Sequence, residues 1–219
     1  VAGTNRRRKN QYKMKNITLE QLGRLSDPYY HKEIGIETKW RIGDKAGAGV
    51  NAIYPYYTAD QCREILDNVC GITGWGNEFR EVAGYLFAVI GINVEGQYVE
   101  KSDAGGARSS TKGLSGEDKD TWNAKTAASS SFVRAAKAWG IGRHHDLLPK
   151  IILPVKNGVA YTLEGVALEG PEALSAYCNA TSTAVGYLYW IYNLEKAKFP
   201  EGSRGLELLS ELKSILTAE

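Results

Sequence analysis

The chain has 219 residues, of which 43% are hydrophobic, and its formal net charge is only +2. This composition excludes a wholly disordered protein and predicts one sizeable domain, alone or with appendages. No run approaches the roughly 18 apolar residues of a membrane helix, and no apolar signal core follows the basic N-terminus. We therefore predict an intracellular protein that is not inserted in a membrane. The three cysteines are widely spaced without a C-x-x-C motif, which favours buried free thiols over disulfides or a zinc cluster.

The charges are unevenly distributed along the chain. Residues 1–16 carry six basic side chains, including the run Arg6 to Lys9, and no acidic one. Residues 160–219 carry four basic against eight acidic side chains. This asymmetry favours a basic end that meets a polyanion, although the run RRRK is equally typical of a solvated tail or an expression tag.

Hydrophobic spacing predicts the first elements. The segment 16–27 has apolar residues near helical spacing and predicts a short helix. Residues 36–57 mix extended residues with glycine and alanine, which indicates a strand, a flexible Gly/Ala loop and a returning strand. The clearest helix in the chain follows, because Thr58 and Gln61 have the spacing of a capping box and Gly71 ends the periodic pattern.

Alternating hydrophobicity then predicts three antiparallel strands, Trp75–Val82, Tyr85–Val94 and Gln97–Asp103, with a tight hairpin turn at Glu95–Gly96. The Gly/Ser-rich segment 104–120 predicts a mobile loop. A helix with a glycine turn at its end follows in Lys125–Asp146. The remaining predicted elements are a hairpin around Asn157–Gly158, a long helix over Pro171–Ala197 and an amphipathic closing helix over 203–219.

Signatures of catalysis are absent from the sequence. It contains no G-x-x-x-x-G-K-[ST] phosphate loop, no G-x-G-x-x-G after a parallel strand, and no spacing typical of a Ser-His-Asp triad or paired carboxylates. His144 and His145 are adjacent, so in a helix or strand their side chains point apart and cannot form an i,i+4 metal pair. We interpret them as a cation cluster with Arg143 at a helix C-terminus, which the helix dipole favours. The sequence thus predicts a protein that is not an enzyme and needs no metal or cofactor.

The predicted helix at 125–146 is unusual because it has no acidic residue before Asp146. At about 100° per residue, the apolar residues cluster on one side: Ala128, Phe132, Ala135, Ala136 and Trp139. Ser130, Arg134 and Lys137 cluster on the other side, where small neighbours leave the backbone accessible and hydroxyls can donate to phosphate oxygens. Such a face is typical of contact with a nucleic-acid backbone without base reading. The alternative is a helix whose exposed face is sparsely charged by chance.

Two motifs, "GITGW" at 71–75 and "FVRAAKAWGIG" at 132–142, carry a resemblance to a known family. Separated by the predicted strands and a Gly-rich loop, they resemble the annealing domain of the Rad fifty-two family, including its phage and mitochondrial branches. In that family a helix ending in G-x-x-G-W, a β-β-β sheet and a long helix with an R-A-x-[KR]-x-[FW]-G motif follow in this order. The resemblance covers residues 37–148, about half of the chain.

The resemblance implies an α+β fold in which an antiparallel β-β-β sheet packs on a long groove-lining helix, followed by a helical C-terminal extension. We divide the chain accordingly into a flexible basic tail, 1–16, an annealing core domain, 17–150, and a hairpin with a helical extension, 151–219. The extension is expected to pack on the core or on a neighbouring subunit.

The function that the resemblance implies is ATP-independent binding of single-stranded DNA and annealing of complementary strands in recombination and repair, by an oligomeric ring or filament. Arg134 and Lys137 match the basic pair of the groove helix. The other matches are Lys125 for a groove lysine one to two turns earlier, Tyr56 for a tyrosine before the capped helix, and Arg41 for a groove arginine, with Lys39 and Lys45 as rivals. The family often has lysine where Val133 stands. By the helical period alone, Lys125 falls outside the face that holds Ser130 and the basic pair.

The implied partners are single-stranded DNA, further copies of the chain and a replication or single-strand-binding protein. A bacterial or phage cytoplasm fits this resemblance better than a mitochondrion or nucleus. An alternative function remains open: a sequence-tolerant binder of single-stranded DNA or RNA that does not anneal strands, and that holds bases against aromatic side chains. A nuclease or ligase would need a metal or nucleotide site, for which the sequence has no signature.

Overall fold

The computed structural model describes residues 14–105 and 116–183, together with residues 204, 207, 210, 211 and 214. Within this part the chain is an α+β protein with antiparallel sheets. The predicted basic run at 6–9, the middle of the Gly/Ser-rich loop and most of the two predicted C-terminal helices lie outside the described residues.

The contacts divide the chain into two compact units. Unit 1 comprises residues 1–37 and 57–146, and unit 2 comprises residues 38–56 and 147–219. The segment 38–56, which the sequence analysis assigned to the core domain 17–150, therefore belongs to the same unit as the chain after residue 147.

Unit 1 begins with short helices whose ends are capped. Its elements are α1 (Leu19–Gly23), a 3-10 turn (Arg24–Ser26), α2 (Pro28–Glu33), α3 (Ala59–Cys70), β3 (Trp75–Val82), β4 (Tyr85–Val94), β5 (Gln97–Gly105), α4 (Gly116–Ala138) and a 3-10 turn (Arg143–Leu147). The predicted capping box of α3 is confirmed, because the Thr58 hydroxyl accepts from the Gln61 amide and the Gln61 side chain accepts from the Thr58 amide. The helix ends at Gly71, whose φ of +76° suits glycine.

The three predicted strands are confirmed and form one antiparallel sheet in the order β3-β4-β5. Strands β3 and β4 have the predicted bounds, and β5 continues two residues further, to Gly105. Both residues of the turn between β4 and β5, Glu95 and Gly96, have positive φ, which matches the twist of a tight hairpin.

Helix α4 lies directly on this sheet. Phe132, Ala135 and Ala136 are fully buried, and the indole Nε1 of Trp139 donates a hydrogen bond of 3.0 Å to the carbonyl of Ile90 in β4. A Cβ added at Gly105 would overlap backbone atoms of α4, so the helix approaches β5 more closely than any residue with a side chain would allow. Burial of this apolar side confirms the helical period predicted for α4.

Unit 2 contains a five-stranded antiparallel sheet in the order β1-β2-β6-β7-β8 and helix α5. Its elements are β1 (Lys39–Gly47), β2 (Val50–Tyr56), β6 (Ile151–Lys156), β7 (Val159–Tyr161), β8 (Ala167–Leu168) and α5 (Gly170–Thr181). Trp40 joins α5 to the sheet: its Nε1 donates to Asn179 Oδ1 at 2.7 Å and its backbone amide donates to Ser175 Oγ at 3.1 Å. The hairpin predicted at Asn157–Gly158 is confirmed as the turn between β6 and β7.

The strand, connecting segment and returning strand predicted within residues 36–57 are confirmed as β1, a short turn and β2. Strand β1 continues to Gly47 through two register shifts, and only residues 48–49 form the turn. The side-chain amide of Asn51 donates to the carbonyl of Gly43 at 2.8 Å, and the carbonyl of Gly49 accepts from Val155 at 2.9 Å. These hydrogen bonds hold Gly43 and Gly49 to the sheet, on either side of residues whose composition is typical of a loop.

Truncating Phe132 to alanine is expected to destabilise unit 1 severely. The ring is fully buried, lies 6.0 Å from the Trp75 ring and carries the Arg63 guanidinium at 4.6 Å over its face. Removal of such a ring costs about 3–5 kcal/mol in the free energy of unfolding, measurable by chemical denaturation. The control Ser129→Ala on the exposed side of α4 should change this quantity by less than about 0.5 kcal/mol. Equal effects of the two changes would contradict the assigned sides of the helix.

Candidate nucleic-acid interface

The polar side of α4 carries the basic residues that the sequence singled out. Arg134 has 59% of its side chain exposed and Lys137 has 41%, one turn apart on the helix. Ser130 is partly buried, one turn before Arg134. Outside its buried side, α4 therefore offers two accessible cations beside small side chains.

Each of these cations has a carboxylate partner within unit 1. Arg134 Nε lies 3.3 Å from Asp103 Oδ1, and Lys137 Nζ lies 2.6 Å from Asp146 Oδ1. Asp103 comes from β5 and Asp146 from the 3-10 turn after α4. The lack of acids between residues 125 and 145 therefore does not extend to the surroundings of these cations, nor to the first turns of α4, which include Glu117, Asp118 and Asp120. Ion pairs this exposed contribute about 0–1 kcal/mol. An external anion with two or more charged oxygens can therefore compete with the carboxylates.

Two further cations, which the sequence analysis did not assign to the site, close the C-terminal end of α4. Lys101 Nζ donates to the carbonyl of Ala138 at 3.0 Å and lies 4.5 Å from the centre of the Trp139 ring. Arg143 donates to the carbonyls of Lys137 and Ala138 at 3.3 and 3.2 Å. They satisfy helix carbonyls that have no partner inside the helix and oppose the negative end of its dipole. Because Lys101 belongs to β5, its contact with the end of α4 could not be predicted from the sequence of the helix.

Lys125 is exposed on the same helix. It precedes Arg134 by nine residues, which corresponds to about 180° around the helix axis. By the helical period, Lys125 therefore lies outside the face that holds Arg134 and Lys137.

The other predicted residues lie in unit 2, on the hairpin formed by β1 and β2. Lys39 pairs with Tyr56 and Arg41 pairs with Tyr54, so these four side chains share one face of the hairpin. The guanidinium carbon of Arg41 lies 5.6 Å from the centre of the Tyr56 ring. Lys45 is exposed beyond the first register shift.

Tyr54 is the member of this hairpin face that the sequence analysis missed. Its neighbour Ile53 is buried in the core of unit 2, whereas 39% of Tyr54 is exposed. Strict alternation in "NAIYPYY" could have indicated an outward aromatic pair, Tyr54 and Tyr56, two residues apart. We name the face that carries Lys39, Arg41, Tyr54 and Tyr56 the hairpin face.

The three histidines of the chain gather around Tyr57 in unit 1. His31 Nδ1 lies 3.2 Å from the Tyr57 hydroxyl, and the rings of His144 and His145 contact each other with centres 4.3 Å apart. The His145 ring lies 4.6 Å from that of Tyr57. The prediction that adjacent histidines point apart is wrong, because a 3-10 turn rather than a regular helix carries them.

The prediction of a cation cluster at His144 and His145 is wrong as well. Burial, followed by the charges of His144 and Lys137, lowers the pKa of His145 to about 3. Burial, followed by His144, lowers the pKa of His31 to about 4, and burial also lowers the pKa of His144. These imidazoles are neutral near pH 7, and Arg143 is the cation that serves the helix end.

Among the described residues, the cysteines and the possible metal ligands do not form a catalytic or metal-binding cluster. The three cysteines are buried free thiols, as predicted, and burial raises the pKa of each to about 12. No group of three or more His, Cys, Asp and Glu among residues 14–105 and 116–183 could hold a metal ion. No helix in the same part of the chain combines the length and apolar character needed to cross a membrane.

The buried histidines make stability depend on pH. Because unfolded histidine has a pKa of about 6.5 and folded His31 one of about 4, the unfolded chain binds more protons between these values. The free energy of unfolding should therefore be highest above about pH 6.5 and fall as the pH drops toward 4, by up to about 3 kcal/mol for His31 alone. Urea unfolding at several pH values above the usual carboxylate range tests this. His31→Gln should flatten the dependence; an unchanged slope would contradict it.

The chain was compared with protein-family models, with curated proteins and with solved structures, and no match was found in any of the three comparisons.

Proposed function

We propose that this protein is a non-enzymatic, ATP-independent annealing protein that binds single-stranded DNA and pairs complementary strands in recombination and repair. The observation that carries the proposal is the pair Arg134 and Lys137, both partly exposed on the side of α4 that is not buried. The order of capped helix, three antiparallel strands and a long helix that carries Arg134 and Lys137 supports the resemblance to the Rad fifty-two family.

Contact with DNA on this face is electrostatic. Phosphate oxygens replace the carboxylates of Asp103 and Asp146 as partners of Arg134 and Lys137. Each exchange replaces a weak, exposed ion pair, so it costs little, while release of condensed counterions from the DNA supplies most of the affinity. Arg134 can bind a phosphate through two parallel N–H donors, whereas Lys137 acts as a compact charge.

In the proposed contact, both cations of this face bind phosphate oxygens and not the edges of bases. A strand bound through its phosphates keeps its base edges available for a second strand. With two cations on this face of α4, one subunit binds weakly, and repetition of the face around an oligomeric ring or filament supplies avidity. A modest affinity of each subunit for DNA is therefore sufficient for annealing by the proposed oligomer.

A second candidate function is binding of single strands without annealing. The aromatic side chains of the hairpin face favour it, since Tyr54 and Tyr56 offer rings to which bases can bind. The two functions differ in whether the bound bases remain free to pair.

An annealing assay separates the two functions. Complementary labelled oligonucleotides are mixed with the protein in the presence of EDTA and without ATP, and duplex formation is followed by energy transfer. The proposed function predicts faster annealing than in the absence of protein. Binding with slower annealing would favour the second candidate, and no binding to either strand would refute both. Light scattering of the same samples tests assembly, which a monomer with and without DNA would contradict.

The double change Arg134→Ala with Lys137→Ala is expected to abolish binding of single-stranded DNA. Both side chains are exposed and their ion pairs are weak, so the fold should persist, and alanine favours the helix. In wild type the logarithm of the binding constant should fall steeply with the logarithm of salt concentration; each lost contact reduces the slope by about 0.7. The control Arg24→Ala with Lys32→Ala removes the same charge from the exposed surface of unit 1. Wild-type affinity of the first double variant would place the binding surface elsewhere.

Neutralising the competing carboxylates is expected to tighten binding. In Asp103→Asn and Asp146→Asn the side chain keeps its size, but the negative charge beside the bound phosphate disappears. Each change should lower the Kd for single-stranded DNA roughly two- to fivefold at low salt, the equivalent of an exposed ion pair. Fluorescence anisotropy measures the Kd, and Asp60→Asn, which breaks the exposed pair with Arg63 at 2.7 Å, serves as the control. Weaker binding by the Asp103 and Asp146 variants would indicate that the carboxylates orient the cations rather than compete.

A further inference from the structure

The hairpin face carries a tyrosine ring in an unusual position. Tyr54 lies opposite Arg41 across the β1–β2 pair, and Gly43 is the next residue of β1 on that face. A Cβ added at Gly43 would overlap the ring carbons Cδ2 and Cε2 of Tyr54. The ring therefore lies across the strand, in the space that the glycine leaves open, instead of extending into solvent.

This arrangement holds the ring in place while leaving part of it accessible. The neighbouring residues Trp40 and Ile53 are buried on the opposite side of the sheet, which fixes the backbone beneath the ring. Tyr54 nevertheless has 39% of its surface exposed. A tyrosine held in this way loses little conformational freedom when a flat ligand covers it, so binding has a low entropic cost.

The surroundings of the ring indicate the chemistry of that ligand. Lys39, Arg41 and Lys45 are exposed along β1, and Asp44 is the one acidic residue of the strand. The guanidinium of Arg41 lies over the second outward ring, that of Tyr56. An aromatic surface bordered by cations suits a ligand that joins a flat ring to an anionic backbone.

We propose that Tyr54 is a base-stacking residue: a base of single-stranded DNA stacks on its ring, while the adjoining phosphates lie beside Lys39 and Arg41. A duplex hides the faces of its bases and cannot use this site, so the hairpin face selects unpaired strands. The inference rests on the proposed binding of single strands. It adds a contact with the bases to the contact with phosphates on α4.

The inference is tested by comparing the Kd values of the protein for two single-stranded ligands. One is oligo(dT); the other is an abasic phosphodiester strand of the same length and charge, which has nothing to stack. Tyr54→Ala should raise the Kd for oligo(dT) roughly fivefold or more, as expected for one lost stacking contact, and leave the Kd for the abasic strand unchanged. Tyr54→Phe keeps the ring and should bind both strands as wild type does.

Two more variants complete the test. Gly43→Ala keeps Tyr54 but displaces its ring, so it should weaken binding of oligo(dT) selectively. Tyr29→Ala removes a tyrosine that is 81% exposed on α2 and should change neither Kd. Thermal unfolding of each variant identifies any loss that comes from misfolding; if Tyr54→Ala misfolds, Gly43→Ala, which keeps the tyrosine but displaces its ring, decides.

Three results would overturn the inference. They are wild-type affinity of Tyr54→Ala for oligo(dT), an equal loss of its affinity for both strands, and a change in the mass of the oligomer alone, which would make the hairpin face a contact between copies. Failure of the proposed function is distinguishable, because wild type would then bind no single strand. If Arg134→Ala with Lys137→Ala binds normally while Tyr54→Ala loses affinity for oligo(dT), the stacking site stands and the α4 face does not.

Discussion

The close contact between α4 and the three-stranded sheet determines the rest of unit 1. Gly105 lets the helix backbone approach β5, Phe132 is fully buried, and the indole of Trp139 is hydrogen-bonded to the carbonyl of Ile90. Because these contacts fix which side of the helix is buried, they also fix which side meets solvent. The exposure of Arg134 follows from the burial of Phe132 and Ala135, which lie on the buried side of the helix.

The same contact decides the electrostatics of the exposed side. Residues 101, 103 and 105 alternate along β5, so the packing that brings Gly105 under α4 also brings Lys101 and Asp103 to its edge. Lys101 closes the helix end and Asp103 pairs with Arg134. The net charge of this face therefore depends on residues of both α4 and β5, because the carboxylate of Asp103 partly neutralises Arg134.

Local periodicity predicted most of unit 1. Strands β3 and β4, the capped helix α3 and the buried side of α4 follow from apolar spacing and capping residues, which act within a few positions of each other. The partners of Arg134 and the gathering of His31 with His144 depend on contacts between residues far apart in the chain, which no local pattern encodes. Composition alone could not place the end of β1, because residues 44–47 are typical of a loop, whereas hydrogen bonds from Asn51 to Gly43 and from Val155 to Gly49 hold the residues on either side of them. Among the candidate residues, the basic residues of α4 and of the hairpin could be identified from the sequence. Tyr54 could be assigned to the hairpin face only once the register of β1 and β2 was known.

The close approach at Gly105 limits how the sequence can vary. A mutation that gives this position any side chain must lift α4 from β5, and the displacement would move both the Trp139 indole and the basic side chains of the helix. The partner of Arg134 is under no such steric limit, since position 103 lies at an exposed edge and a longer acid reaches as well as a shorter one. In a family tree of such chains, glycine at 105 would stay constant while aspartate and glutamate alternate at 103.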